Sequence, residues 1–302
     1  MEAIVFEEFG GPEVLRFTEI EEPHAGPGQV RVRVRATGVN QLDHKIRNGW
    51  LEGQFPTPLP ATPGLEFAGI VDEVGEGVTG TAVGDEVLGW PVTGSYAQYA
   101  LAEVFAPKPP GLDWADAAAL PVATETAQRV LGLLGVRAGE TLLLHGAAGA
   151  VGTAAVQLAV AAGVRVIGTS SPGNHDHLRE LGAIPVAYGD GLIARVRESA
   201  PEGVDAVFDA VGRGVLPDSV ALRGGTAERI VTIADPDAAA HGVTFSAGGT
   251  ERPEVALAEH ARLAAAGRLR IRIDGIHPLR DAAKVQALSE TGHARGKLVL
   301  IP

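Results

Sequence analysis

Residues 141–163, TLLLHGAAGAVGTAAVQLAVAAG, constrain the fold more than any other part of the chain. An apolar strand runs into His145-Gly-Ala-Ala-Gly-Ala-Val-Gly152 and directly on into a helix whose Val151, Ala155, Leu158 and Ala162 keep helical spacing. Small residues at such a turn let the backbone approach a pyrophosphate, while the helix aims its free N–H groups and positive dipole end at the phosphate oxygens. Ala147 stands at the first glycine of the G-x-G-x-x-G pattern, so the motif taken alone also describes a tight turn with no ligand. Its setting, between a buried strand and an amphipathic helix with a second strand to follow, favours a dinucleotide held by Gly149, Ala150, Val151 and Gly152.

Strands and helices alternate on either side of that turn. Strands are expected at residues 141–145, 164–169, 185–187, 206–209 and 229–233, with helices at 151–162, 175–181 and 192–199 between them. This spacing implies right-handed crossovers and a doubly wound parallel sheet covered on both faces. The preceding 110 residues read differently. Val30, Val32, Val34 and Ala36 alternate with Arg31, Arg33 and Arg35, the pattern of a half-buried strand with a solvated basic side. Short strands at 3–6, 67–74, 86–88 and 96–101, broken by glycine and proline, suggest a small all-β barrel. After residue 250 a helix (255–266), a strand (270–273), a helix (279–291) and a strand (297–300) return to it. The expected division is 1–121 with 248–302, and 122–247.

At the end of the second parallel strand the sequence reads Gly168-Thr-Ser-Ser171. A carboxylate there accepts the ribose 2′-hydroxyl of NAD and repels a 2′-phosphate. Ser170, Ser171 and Asn174, with His175 and Arg179 nearby, favour NADPH over NADH. Asp176 is the counter-candidate but falls inside the next helix, and the serines also suit a helix N-cap.

Composition closes off other classes. The chain has 302 residues and no cysteine, which excludes a disulfide framework, a cysteine-ligated metal and a thiol nucleophile. Its net charge of −12 disfavours nucleic acid. No segment approaches the roughly 20 apolar residues of a membrane span, and the acidic start lacks the basic region of a signal peptide, so a cytoplasmic location is expected.

Four features together resemble one family: Gly38-Val-Asn40 with Asp43; Pro63-Gly-Leu-Glu-Phe-Ala-Gly-Ile-Val-Asp-Glu-Val-Gly75; Ala147-Ala-Gly-Ala-Val-Gly152; and Arg295-Gly-Lys-Leu-Val-Leu300. Their order is similar to that of the zinc-independent quinone oxidoreductases of the medium-chain dehydrogenase/reductase superfamily. The resemblance implies a GroES-like barrel for the substrate, a Rossmann domain for NADPH, an active site in the cleft between them, and a homodimer joined through the Rossmann sheets. Zinc-dependent relatives carry Cys and His where this chain has Asn40 and Leu65, and Glu66 alone falls short of the three ligands of a catalytic zinc.

The resemblance also implies roles for single residues. Asn40 and residues 41–45, Gln41 among them, line the nicotinamide end, and Thr126 touches the nicotinamide. Tyr188 packs beside the 2′-phosphate. Ala210, Ile233, Ala234 and Asp235 touch the adenosine and ribose; Phe245, Ser246 and Ala247 close over the carboxamide; Gly296 is a last backbone contact. For Thr126, Tyr188 and Phe245 ordinary packing is the competing reading. Asn40, Asp43 and Lys45 are the candidate catalytic residues: an amide that orients the cofactor or hydrogen-bonds the substrate carbonyl, a loop anchor or proton relay, and a proton donor or clamp. Trp50 stands where enoyl reductases of the superfamily carry a proton-donating Tyr, and with Phe245 it offers an apolar wall to a ring-shaped acceptor. The expected reaction is hydride transfer from NADPH to a quinone or an α,β-unsaturated carbonyl. Two alternatives share these residues, an enoyl-thioester reductase of polyketide or fatty-acyl metabolism and a crystallin-like NADPH-binding protein without turnover.

Overall fold

A computed structural model of the chain describes residues 1–53, 56–248, 253–292 and 294–302. The chain divides into two compact units, Met1–Val122 with Arg252–Pro302, and Ala123–Glu251. The division falls within one helix, Leu120–Leu134.

The first unit is built on the alternating strand Val30–Val39. Its valines turn inward and Arg33 and Arg35 outward, while Arg31 lies over the Tyr99 ring and forks onto Asp72 with two contacts of 3.0 Å. Antiparallel pairing runs from Val30–Val39 to Phe67–Val74, to Glu86–Pro91, to Tyr99–Pro107 and back to Val30–Val39, which closes a barrel. Val30, Val32, Val34, Phe67, Val71 and Val87 fill it. Lys297–Ile301 extends the sheet antiparallel to Val30–Val39, and Ile273–Pro278 pairs parallel beyond it. The chain's last strand thus lies against the end of the strand that leads to Asn40. A second cluster, including Phe6, Val39, Tyr96, Leu279, Leu298 and Leu300, packs helix Ala282–Glu290 against this extension.

The second unit carries a six-stranded parallel sheet in the order Thr244–Phe245, Ile230–Thr232, Ala206–Asp209, Thr141–His145, Arg165–Ser170, Ile184–Ala187. In order of sequence this is 6-5-4-1-2-3, the doubly wound Rossmann arrangement. Thr141–His145 is buried along its whole length, as a central parallel strand must be. Leu143, Ile167, Val207 and Ile230 pack on Leu192, Val196, Leu216 and Leu222 from the flanking helices. Each such side chain contributes roughly 1.5–3 kcal/mol relative to exposure. The fold class expected from the sequence, a GroES-like barrel joined to a Rossmann domain, is the one observed.

Two strands lie further along than expected. The segment expected at 96–101 pairs instead over Tyr99–Pro107, because Tyr96 is committed to a buried hydrogen bond and the ladder with Glu86–Pro91 runs on to Pro107. The segment expected at 270–273 pairs over Ile273–Pro278, where alignment with Lys297–Ile301 outweighs the weak apolar pattern of Gly275 and His277. The expected helix at 279–291 begins as a 3-10 turn, Leu279–Asp281, before Ala282–Glu290. No described helix is long and apolar enough to cross a membrane.

Candidate active site

In the Rossmann unit the strand order reverses between Thr141–His145 and Ala206–Asp209, and doubly wound sheets bind ligands beyond the carboxyl ends of such strands. His145 and Asp209 end these two strands side by side, and both are buried. Asp209 accepts from the N–H groups of Val211 (2.9 Å) and Gly212 (3.1 Å) and from the Thr232 hydroxyl (2.7 Å), which shapes the loop holding Ala210. The Ser219 hydroxyl donates its one hydrogen to the Val215 carbonyl at 2.7 Å. His145 Nε2, 3.1 Å from Ser219, therefore carries the imidazole proton, and Nδ1 accepts from Thr169 at 3.2 Å. Burial lowers the His145 pKa to about 4 against the pull of Asp209 and Asp218, so the ring is neutral near pH 7.

From His145 the chain turns at Gly146, with φ +76°, into helix Ala150–Ala161, whose N-cap is Gly149. No side chain caps this helix, and its first N–H groups have no partner within it. Gly152 presses on the turn: a Cβ there would overlap the Gly146 carbonyl and lie 2.7 Å from Ala147 Cα. Gly149, Ala150, Val151 and Gly152 thus open the helix with backbone N–H groups that no side chain caps, which fits a diphosphate.

Strand Arg165–Ser170 brings the next group together. Asn174 Nδ2 donates to Ser171 Oγ at 3.1 Å, which leaves the Ser171 hydroxyl hydrogen to point elsewhere, whereas Ser170 spends its own on the Ser171 carbonyl. Ser171 precedes the 3-10 turn Pro172–Asn174 without capping it through its side chain. Asp176 lies within helix His175–Glu180, paired to Arg179 at 2.6 Å. Tyr188, 61% exposed, follows strand Ile184–Ala187 on a loop held by the Arg195 guanidinium, which donates to the carbonyls of Ala187, Tyr188, Gly189 and Asp190.

At the other side of the sheet, Ile233 N–H donates to the Asp209 carbonyl at 3.0 Å, and the Thr232 hydroxyl accepts from the N–H groups of Ala234 and Asp235. Ser246 N–H bonds the Thr232 carbonyl at 2.8 Å, while its hydroxyl meets Arg129 on helix Leu120–Leu134. Arg129 pairs with Glu125 at 2.7 Å, and Glu125 accepts from Thr126 at 3.3 Å. Thr126 and the segment Phe245, Ser246 and Ala247 are thereby linked; Phe245 and Ala247 are exposed.

The barrel unit holds the remaining candidates. Asn40 follows strand Val30–Val39 and starts helix Gln41–Arg47. Asp43 reaches back to the Asn40 N–H at 2.8 Å as the acidic member of a capping box, and the same oxygen accepts from Tyr96 Oη at 2.9 Å. Burial pushes the Asp43 carboxyl up to about 7, although the Asn40 and Tyr96 hydrogen bonds and the Lys297 charge pull it down. Gln41 is tied to Ser289 of helix Ala282–Glu290. Lys45 is half-buried. Trp50, 68% exposed, stands edge-on to His44 with ring centres 6.1 Å apart. Gly296, with φ +150°, has no room for a Cβ beside the Arg272 carbonyl.

Sequence reading missed the centre of this unit. Glu66 is fully buried, and Lys297, 2% exposed, forms an ion pair with it. Lys297 also donates to Asn40 Oδ1 at 2.6 Å, Asn40 Nδ2 donates to Glu66 Oε1 at 2.9 Å, and Glu66 Oε2 accepts from the Val122 N–H at 2.8 Å. Gly38 allows the approach, since a Cβ there would overlap both the Glu66 carboxylate and Lys297 Cε. The available signal was the Arg295-Gly-Lys-Leu run, a lysine starting an otherwise apolar strand. Arg129, Arg195 and His145 were missed too; their partners become evident only from the fold.

A family model described as alcohol dehydrogenase GroES-like domain matches residues 26–109, and one described as zinc-binding dehydrogenase matches 181–300. The chain is 35% identical to a quinone oxidoreductase of Lama guanicoe, over all of this chain and 97% of that one. It is 33% identical to a 2-methylene-furan-3-one reductase of Solanum lycopersicum, over all of this chain and 79% of that one. Among solved structures, the Escherichia coli quinone oxidoreductase complexed with NADPH superposes with a TM-score of 0.87 over the whole of both chains at 26% identity.

Proposed function

The chain belongs to the quinone oxidoreductases of the medium-chain dehydrogenase/reductase superfamily, and from that premise we propose that it uses NADPH, without zinc, to reduce a quinone or an α,β-unsaturated carbonyl. The observation that carries the reading is the uncapped helix start at Gly149, with Gly152 pressed on Gly146, which leaves backbone N–H groups to meet a diphosphate. Ser171, with a hydroxyl hydrogen to spare and no carboxylate where NAD-binding chains carry one, supports NADPH over NADH. Tyr188 and Asn174 complete the proposed 2′-phosphate side. Ala210, Ile233 and Ala234 take the ribose, and Thr126, Phe245, Ser246 and Ala247 the nicotinamide.

Bound NADPH supplies a hydride from the nicotinamide ring; the protein supplies alignment, exclusion of water and stabilisation of negative charge on the acceptor oxygen. In the barrel unit Asn40 is the proposed donor to that oxygen, and Asp43 holds the start of its helix. Lys45 adds positive charge, and the exposed Trp50 face suits a flat acceptor. A quinol product takes its proton from water. Independence from zinc is supported by the donor set: Asn40 and Leu65 are not zinc ligands, and the carboxylate of Glu66 already faces an ammonium. A homodimer joined at the Rossmann sheet edges and a cytoplasmic location complete the proposal.

Steady-state oxidation of NADPH and NADH with 1,4-benzoquinone, 9,10-phenanthrenequinone, a simple enone and an enoyl thioester tests it. Turnover with quinones or the enone is expected in the presence of a chelator, with NADPH preferred, and Ser171→Asp should lower that preference at least about tenfold through charge repulsion. A strong thioester preference would transfer the reading to the enoyl-thioester reductases. Bound nucleotide without turnover on any acceptor would make the chain a binding protein.

A further inference from the structure

We propose that Lys297 is a positioning residue for the reduction: it locks the Asn40 side-chain amide so that an Nδ2 hydrogen, and never Oδ1, meets the acceptor oxygen. The inference rests on the hydride-transfer reading above and names what orients its donor.

An amide side chain can present either end, and its neighbours decide which. The Lys297 ammonium has three hydrogens and no lone pair, so the atom 2.6 Å from it must be Asn40 Oδ1. The Glu66 carboxylate, ion-paired to Lys297, accepts, so the atom 2.9 Å from Oε1 must be Nδ2. Rotating the amide by 180° would set NH₂ against ammonium and C=O against carboxylate, two repulsive contacts where Glu66 and Lys297 are shut off from water.

The lock is itself held. Glu66 Oε2 is anchored by the Val122 N–H, Gly38 admits the side chains, and the Asn40 N–H is bound by Asp43. One Nδ2 hydrogen is spent on Glu66, which leaves the other for an acceptor; Asn40 is half-buried. Lys297 bonded at Oδ1 polarises the amide and strengthens the donor at its far end. As the hydride adds to a quinone, negative charge gathers on the carbonyl oxygen. A donor already oriented stabilises it without reorganisation, whereas a freely turning amide would present its own oxygen part of the time.

Variants Lys297→Met, Lys297→Met with Glu66→Gln, and Asn40→Ala, alone and combined, test this. The paired replacement removes charge and counter-charge together, so it leaves no buried charge unpaired if the single variant fails to fold. With 1,4-benzoquinone the paired variant should lose at least about tenfold in kcat while its NADPH Kd stays within about threefold. In the Asn40→Ala background the same pair should cost nothing further, because its effect runs through that amide. By NMR the Asn40 side chain should show one exchange-protected and one fast-exchanging hydrogen, a difference abolished in the paired variant. Losses that multiply, an unchanged kcat, or an exchange pattern indifferent to Lys297 would overturn the assignment while leaving the proposed activity intact. An inert wild-type protein with the NMR pattern present would overturn the activity and the catalytic role together.

Discussion

The fully buried carboxylates Glu66, in the barrel unit, and Asp209, in the Rossmann unit, are balanced in opposite ways. In the barrel unit two full charges, Lys297 and Glu66, are buried against one another, and the buried Arg47 guanidinium reaches the half-buried Glu290 as well as Gln286 and the Gly10 carbonyl. In the Rossmann unit Asp209, as buried as Glu66, is held by two backbone N–H groups and a hydroxyl, and His145 is neutral. The difference matches what each unit is proposed to hold. A diphosphate brings its own charge and needs only oriented N–H groups, whereas a neutral acceptor becomes charged during reaction and needs polarity already in position.

The sharpest way to break this comparison is to remove one charge from the barrel. Glu66→Leu leaves Lys297 buried without its counter-ion and should cost about 3–5 kcal/mol in chemical denaturation. Adding Lys297→Met should return part of that, since the buried charge is gone although Asn40 and the Val122 N–H still lack their partners. If Glu66→Leu alone proves as stable as the wild type, the pair is not the desolvated unit its burial implies. The corresponding Rossmann change acts on shape. Gly152→Val meets the Gly146 carbonyl, which as backbone cannot yield, and should weaken NADPH about 100-fold, roughly 2.7 kcal/mol, in a fluorescence titration. An unaltered Kd would mean that the cofactor is not gripped at this turn.

The same contrast explains how much of each site was legible in the sequence. The proposed diphosphate cradle is local: strand, turn and helix occupy consecutive residues, with glycine at 146, 149 and 152, so its geometry is legible in residues 141–163 alone. The barrel's centre is assembled from residues 40, 66 and 297, brought together when Lys297–Ile301 pairs with the end of Val30–Val39. Nothing in the neighbourhood of Glu66 signals that its partner lies more than 200 residues away. The family resemblance supplied Asn40 and Asp43 but described Glu66 only as a leftover ligand, and the ammonium beside it came from the fold. Strand shifts at 99–107 and 273–278 have the same origin, because pairing partners set those bounds where local apolar pattern is weak.

Protonation gives the finest test, because two buried groups, His145 in the Rossmann unit and Asp43 in the barrel, should respond to pH with opposite signs. Burial holds His145 at about 4, below the 6.5 of an unhindered imidazole. Between those values the unfolded chain carries a proton that the folded one refuses, so His145's contribution is complete above about pH 6.5 and lost as pH falls through about 4. Asp43 is the reverse. Its carboxyl is raised to about 7, so the folded state retains a proton that the unfolded state has released, and its contribution is present at acid pH and lost as pH rises toward 7. Urea unfolding at intervals from pH 4 to 8 should therefore respond differently to two conservative changes. His145→Gln should flatten the acid limb, by about 1 kcal/mol or more across the window, at one pKa unit per 1.36 kcal/mol. Asp43→Asn keeps an acceptor for the Asn40 N–H and the Tyr96 hydroxyl while removing the titration, so it should make the rise in stability with pH steeper between about 4 and 7. Buried His44 and His260, both in the barrel unit and both lowered by burial, share the sign of His145, which is why the Asp43 effect must be read as the difference between variant and wild type. If the two difference curves bend the same way, buried ionisation in the barrel is not set by the desolvated network around Asn40, and the contrast between the units loses its electrostatic basis.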